Sequence, residues 1–69
     1  MNMNRLRSLI YGQFRTAADM ARAMDWGKQK LHRIMSGKQE PNLSDLSSMA
    51  RTLGKPLMEM ADIFLEGTK

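Results

Sequence analysis

Three residues, Asp25-Trp26-Gly27, separate two short stretches of helical apolar spacing, and a connection that short forces the two to pack at a sharp angle. In the first stretch, Thr16 can cap backbone N–H groups while Asp19, three residues on, complements the positive end of a helix. Met20, Ala21 and Met24 form its inner face, and Ala21 is small enough for a neighbouring helix to cross closely. The second stretch is expected as a helix over residues 28–36, with Leu31 and Ile34 turned the same way and Gly37 ending it in a left-handed conformation. Asp25 falls where the chain must turn through the left-handed region, which aspartate tolerates better than most side chains.

The remainder also reads as helix. Valine is absent, isoleucine occurs three times, and Ala, Leu, Met, Lys and Arg dominate, so strand formers are scarce. Leu6, Ile10 and Phe14 mark a first helix over residues 4–14. Asn42 caps a fourth, with Asp45 at its third position and Leu43, Leu46, Met49, Ala50 and Leu53 on its apolar face. Gly54 ends that helix, and Pro56 opens a fifth over residues 56–65, with Leu57, Met60 and Phe64 facing inward. The expectation is an all-α, compact five-helix single domain spanning residues 1–69, with Trp26 plugging the core behind the turn and residues 66–69 frayed. Met20, Met24, Met49 and Met60 have core spacing, so the eight methionines read mainly as packing.

Size and composition narrow the function. A chain of 69 residues has no room for a deep cleft, and no nucleophile–base or carboxylate pair can be located, so an enzyme is not expected. Without cysteine there is no disulfide framework and no thiolate zinc site, and His32 alone builds no metal centre, so neither cofactor nor metal is expected. No apolar run approaches the ~20 residues of a membrane helix, and Met1 to Arg5 lead into no signal peptide. A soluble protein of the bacterial cytoplasm or nucleoid is expected, with no membrane and no small-molecule substrate as partner.

The net charge of +4 is unevenly spread: residues 1–38 hold eight Lys or Arg against Asp19 and Asp25, a net of +6, whereas residues 39–69 carry −2. Opposite Leu31 and Ile34, the third helix presents Lys28, Gln29, His32, Arg33 and Ser36, and no acid occurs from Trp26 to Gln39. Surface helices usually mix charge signs, because opposite pairs stabilise them slightly. A face that omits acids suits a polyanion. Arg33 and Lys28 can offer donors to guanine O6 and N7, Gln29 can read adenine, and His32 can donate or accept. Lys30 projects to the flank, where a phosphate is the expected partner. The bend and the basic second helix together make a helix-turn-helix.

The chain resembles the helix-turn-helix domains of phage repressors of the lambda-repressor and Cro type over residues 6–63. Thr16-Ala17-Ala18-Asp19-Met20-Ala21 looks like that family's second helix, and Leu31-His32-Arg33-Ile34-Met35-Ser36-Gly37-Lys38 followed by Pro41 like its recognition helix and loop. Leu46, Met49, Ala50, Leu53, Gly54, Leu57 and Met60 match the core spacing of its last two helices. By that resemblance Lys28, Gln29 and Arg33 touch base edges with His32 beside them. Thr16, Lys30, Lys38 and Gln39 lie near phosphates, and Ser36 is grouped with these. The resemblance implies a homodimer on double-stranded DNA, which need not form before DNA is met, reading two half-sites ~34 Å apart. Departures are Ala17 where the family often has a bracing glutamine, Asp25 in place of the turn glycine, Met35 in place of a common glutamate, and the bulky Trp26. Met58, Ile63 and Leu65 fall off the main stripe of the last helix and are the candidate dimer contacts. The expected function is a small phage- or prophage-type repressor; the alternative is a protein-interaction module on the same fold, such as an antitoxin or antirepressor.

Overall fold

The computed structural model describes residues 3–67, apart from the side chain of Lys28. In it five helices run α1 (Asn4–Gln13), α2 (Ala17–Ala23), α3 (Lys28–Met35), α4 (Leu43–Leu53) and α5 (Leu57–Gly67). Side-chain caps open α2 and α4, and left-handed residues close α2, α3 and α4. The domain is all-α, with the helix-turn-helix at α2 and α3. Thr16 stands outside α2 in extended backbone, and its hydroxyl accepts the Asp19 N–H at 3.1 Å. Asn42 does the same for α4, and Asp45 reaches back to the Asn42 N–H at 3.1 Å, completing a capping box.

Three helices end on one device. Asp25 (φ 57), Gly37 (φ 80) and Gly54 (φ 69) each adopt the left-handed region just past α2, α3 and α4. The next residue then bonds back to a carbonyl five positions earlier: Trp26 N–H to Ala21 O at 2.8 Å, Lys38 N–H to Arg33 O at 2.9 Å, and Lys55 N–H to Ala50 O at 2.9 Å. This is the Schellman closure, which satisfies carbonyls that the helix itself leaves without donors. The conformation expected at Asp25 is therefore present, although the whole connection from α2 to α3 runs over residues 24–27, one residue more than the sequence suggests.

The helices share one core. Leu6, Ile10, Met20, Leu31, Ile34, Met49, Met60 and Ile63 are fully enclosed, with Ala21, Ala50, Leu53, Met3 and Met35 nearly so. Trp26 packs against this cluster half-buried, consistent with a plug behind the turn. Helix α1 lies against α2 and α4, α2 against α3, and α4 against α5. The Gln13 side-chain amide donates to the Leu53 carbonyl at 2.8 Å, tying the ends of α1 and α4. The Cα radius of gyration is 10.7 Å, close to the ~11 Å expected for a compact chain of this length. Among the described residues no helix is long and apolar enough to cross a membrane.

Four expectations are corrected. Ile63 is 2% exposed and belongs to the core, so it has no surface to offer a second subunit. Helix α5 is apolar over most of its circumference outside the stripe of Glu59, Asp62 and Glu66, and periodicity could not say which part of that apolar face turns inward; the buried arc is centred on Met60 and Ile63, leaving Leu57 at 38% exposure. Leu43 lies on the expected stripe of α4 but is 69% exposed, at the edge of the buried arc set by Met49, Ala50 and Leu53. Helix α5 continues through Glu66 to Gly67, where a frayed tail was expected, and Arg5 pairs with Glu66 at 2.8 Å. Residues 68 and 69 of that expected tail lie outside the described residues.

Candidate nucleic-acid interface

Helix α3 is held from beneath by Leu31, Ile34 and Met35, all buried, and begins at Gly27 in extended backbone. Because a helix turns ~100° per residue, anchoring those three positions fixes the opposite arc outward. Gln29, His32, Arg33 and Ser36 stand on that arc, all exposed. Lys28 opens α3, but its side chain, an expected base contact, lies outside the described residues. Lys38 follows in the loop, exposed. Thr16, also exposed, uses its oxygen as the α2 cap, which leaves its O–H free to donate.

Lys30, expected at a phosphate, has a partner within the chain. Its ammonium lies 2.8 Å from Asp45 Oδ1 and 4.4 Å from the centre of the Trp26 ring. Asp45 is buried, accepts the Asn42 N–H as well, and sits at the first turn of α4. Burial pushes its carboxyl up, but the Lys30 ammonium and the Asn42 N–H outweigh that and hold it below the ordinary aspartate range. Lys30 is thus a strut from α3 to α4, with its charge engaged by Asp45 and lying over Trp26. The sequence signal for this was weak, since residues 30 and 45 are far apart in the chain and Asp45 already had a local reason to be there.

Arg33 is the most elaborately held residue of the outward arc. Its carbonyl accepts the Ser36 hydroxyl at 3.1 Å and the N–H groups of Lys38 at 2.9 Å and Gln39 at 3.2 Å. Its own Nε–H donates to Gln39 Oε1 at 2.9 Å. Gln39 was expected at a phosphate and is instead half-buried against Arg33. Arg22 flanks the turn but pairs with Asp19.

What this surface offers is an exposed run of donors without an acid, backed by buried apolar side chains. Among the described residues no cluster of three His, Asp or Glu side chains is placed to hold a metal ion. A family profile described as a helix-turn-helix domain matches residues 5–62, most of the chain, from α1 through α4 and into the first half of α5. No curated protein and no solved structure matches it.

Proposed function

The chain belongs to the helix-turn-helix domain family, and from that premise we propose that it binds double-stranded DNA sequence-specifically and regulates transcription, as a small phage- or prophage-type repressor with α3 in the major groove. The observation that carries the reading is the outward arc of α3: Gln29, His32, Arg33 and Ser36 exposed together, with Leu31, Ile34 and Met35 buried behind them. Arg33 reads guanine, Gln29 and His32 read beside it, and Lys28 joins them from the helix N-terminus. Thr16, Ser36 and Lys38 meet phosphates. The work is binding; no catalytic step is assigned.

Two copies bind together. The longest dimension of one copy is 28 Å, less than the ~34 Å between half-sites on one face of a duplex. Met58 and Leu65, 74% and 63% exposed, lie two turns apart on the outward face of α5 and supply the contact between copies. The second reading, a module that holds another protein, is supported by an apolar groove of about 430 Å³ between α3, the following loop and α5, bordered by Ile34, Pro41, Leu46, Phe64 and Leu65.

Selection of bound duplexes from a random pool separates the two. DNA reading predicts a palindromic consensus; recovery of unselected sequence would favour the protein-holding alternative. Arg33→Ala should then relax preference at one base pair of each half-site at a cost of ~1–3 kcal/mol. Equal losses on operator and random DNA would reject base reading by Arg33.

A further inference from the structure

We propose that Gln39 is a positioning residue that fixes the Arg33 guanidinium for guanine, and so sets specificity at a base pair it does not itself touch; this rests on the DNA-reading function above. An exposed arginine samples many rotamers, and bidentate recognition needs its planar fork held in one of them. Here the loop supplies the hold. Gly37, at φ 80, reverses the chain after α3, so that residues 38 and 39 return over the last turn of the helix. Their N–H groups close on the Arg33 carbonyl at 2.9 and 3.2 Å, which fixes the backbone of Gln39 against that of Arg33. The Gln39 side chain then accepts Arg33 Nε–H at 2.9 Å. Residues 33 and 39 are clasped twice, once through the main chain and once through the side chains.

The chemistry of the clasp selects its use. With Nε–H engaged, the donors left to Arg33 are those on Nη1 and Nη2, and the edge between them presents two parallel N–H groups. That edge matches O6 and N7 of guanine. A carboxylate at position 39 would accept the same bond but would place negative charge beside the phosphates. Glutamine orients the cation without cancelling it, in a stretch from Trp26 to Gln39 that contains no acid. Glutamine held in this way has its oxygen turned to Arg33 and not to a base, while its amide N–H groups stay available as donors.

The test uses the full chain and the duplex recovered from random-pool selection. Discrimination is measured as the affinity ratio between guanine and the other bases at the position where Arg33→Ala loses preference. Q39L should lower that ratio about fivefold, the effect of one net hydrogen bond, with other positions and the salt slope unchanged. Q39E should keep the ratio while weakening every duplex alike. In the Arg33→Ala background, Q39L should change nothing further, because the two act as one unit. An unchanged ratio in Q39L, a uniform loss with a shallower salt slope, or an equal loss in the Arg33→Ala background would each overturn the assignment. Relaxation of the Arg33 Nε–H in the DNA-free protein gives a separate reading: restricted in the wild type and mobile in Q39L, or, if mobile in both, no clasp. Q39S serves should Q39L unfold. A wild type that selects no consensus would overturn DNA reading itself, whereas a selective wild type with unaltered Q39L overturns only the part given to Gln39.

Discussion

Asp45 shows how much one buried carboxylate can organise. It caps α4 through Asn42, takes the Lys30 ammonium at 2.8 Å, and has a side chain only 9% exposed. Its folded-state pKa is lowered from 3.8. A lowered carboxyl contributes stability that is present above the unfolded value and is lost as pH falls through the folded one. Unfolding followed from pH 7 to pH 2 should therefore show stability falling below about pH 4. Asp45→Asn should flatten that fall and cost about 1–2 kcal/mol at pH 7, the loss of a cap and a charge-assisted bond. An unaltered acid limb would remove Asp45 from the account. Lys30→Met separates strut from phosphate contact. A strut predicts a lower melting temperature with an unchanged slope of affinity against salt, whereas a phosphate contact would reduce that slope by about one.

At the scale of elements, the ends matter more than the middles. Helices of seven to eleven residues are marginal by propensity alone, so capping and the Schellman closures decide where each one stops. Asp25 does this with a side chain in a region that costs non-glycine residues ~1–2 kcal/mol, less for aspartate. Asp25→Gly should accordingly leave stability unchanged or raise it by up to about 1 kcal/mol, while Asp25→Val should lower it by about 1–2 kcal/mol. In a domain of this size each kcal/mol moves the melting temperature by about 4–8 °C. A destabilised Asp25→Gly would mean that the aspartate carboxylate, and not its backbone, matters at the turn. Helix α5 gives the opposite case. Its ends were legible to within two residues, but its buried side was not, because apolar residues occupy most of its circumference.

For the molecule as a whole, Ile63 and the pair Met58 and Leu65 separate folding from assembly. Ile63→Ala should cost about 2–4 kcal/mol, since it empties space in a closed core. Met58→Glu and Leu65→Glu change exposed positions and should fold as the wild type does. On a palindromic operator they should lose paired occupancy while still binding an isolated half-site. Equal affinity of both variants and wild type for the full operator would place the contact between copies elsewhere. The charge imbalance belongs to this scale too, because an acid-free surface on α3 predicts that affinity for any duplex falls with added salt, as a titration of binding against ionic strength would show.

Five helices, their caps, the left-handed turn at Asp25 and the outward arc of α3 were readable from the chain alone, because each rests on spacing within one segment. Composition made strands unfavourable, and the unbroken run without acids marked the surface proposed to face DNA. What needed the tertiary structure were relations between segments: the Lys30–Asp45 strut, the fold of Gln39 onto Arg33, the exposure of Leu43, and the rotation of α5 that buries Ile63. A single sequence records which face of a helix is apolar, but an ion pair between residues 30 and 45, or the choice among several apolar faces, exists only once other helices have occupied the space around it.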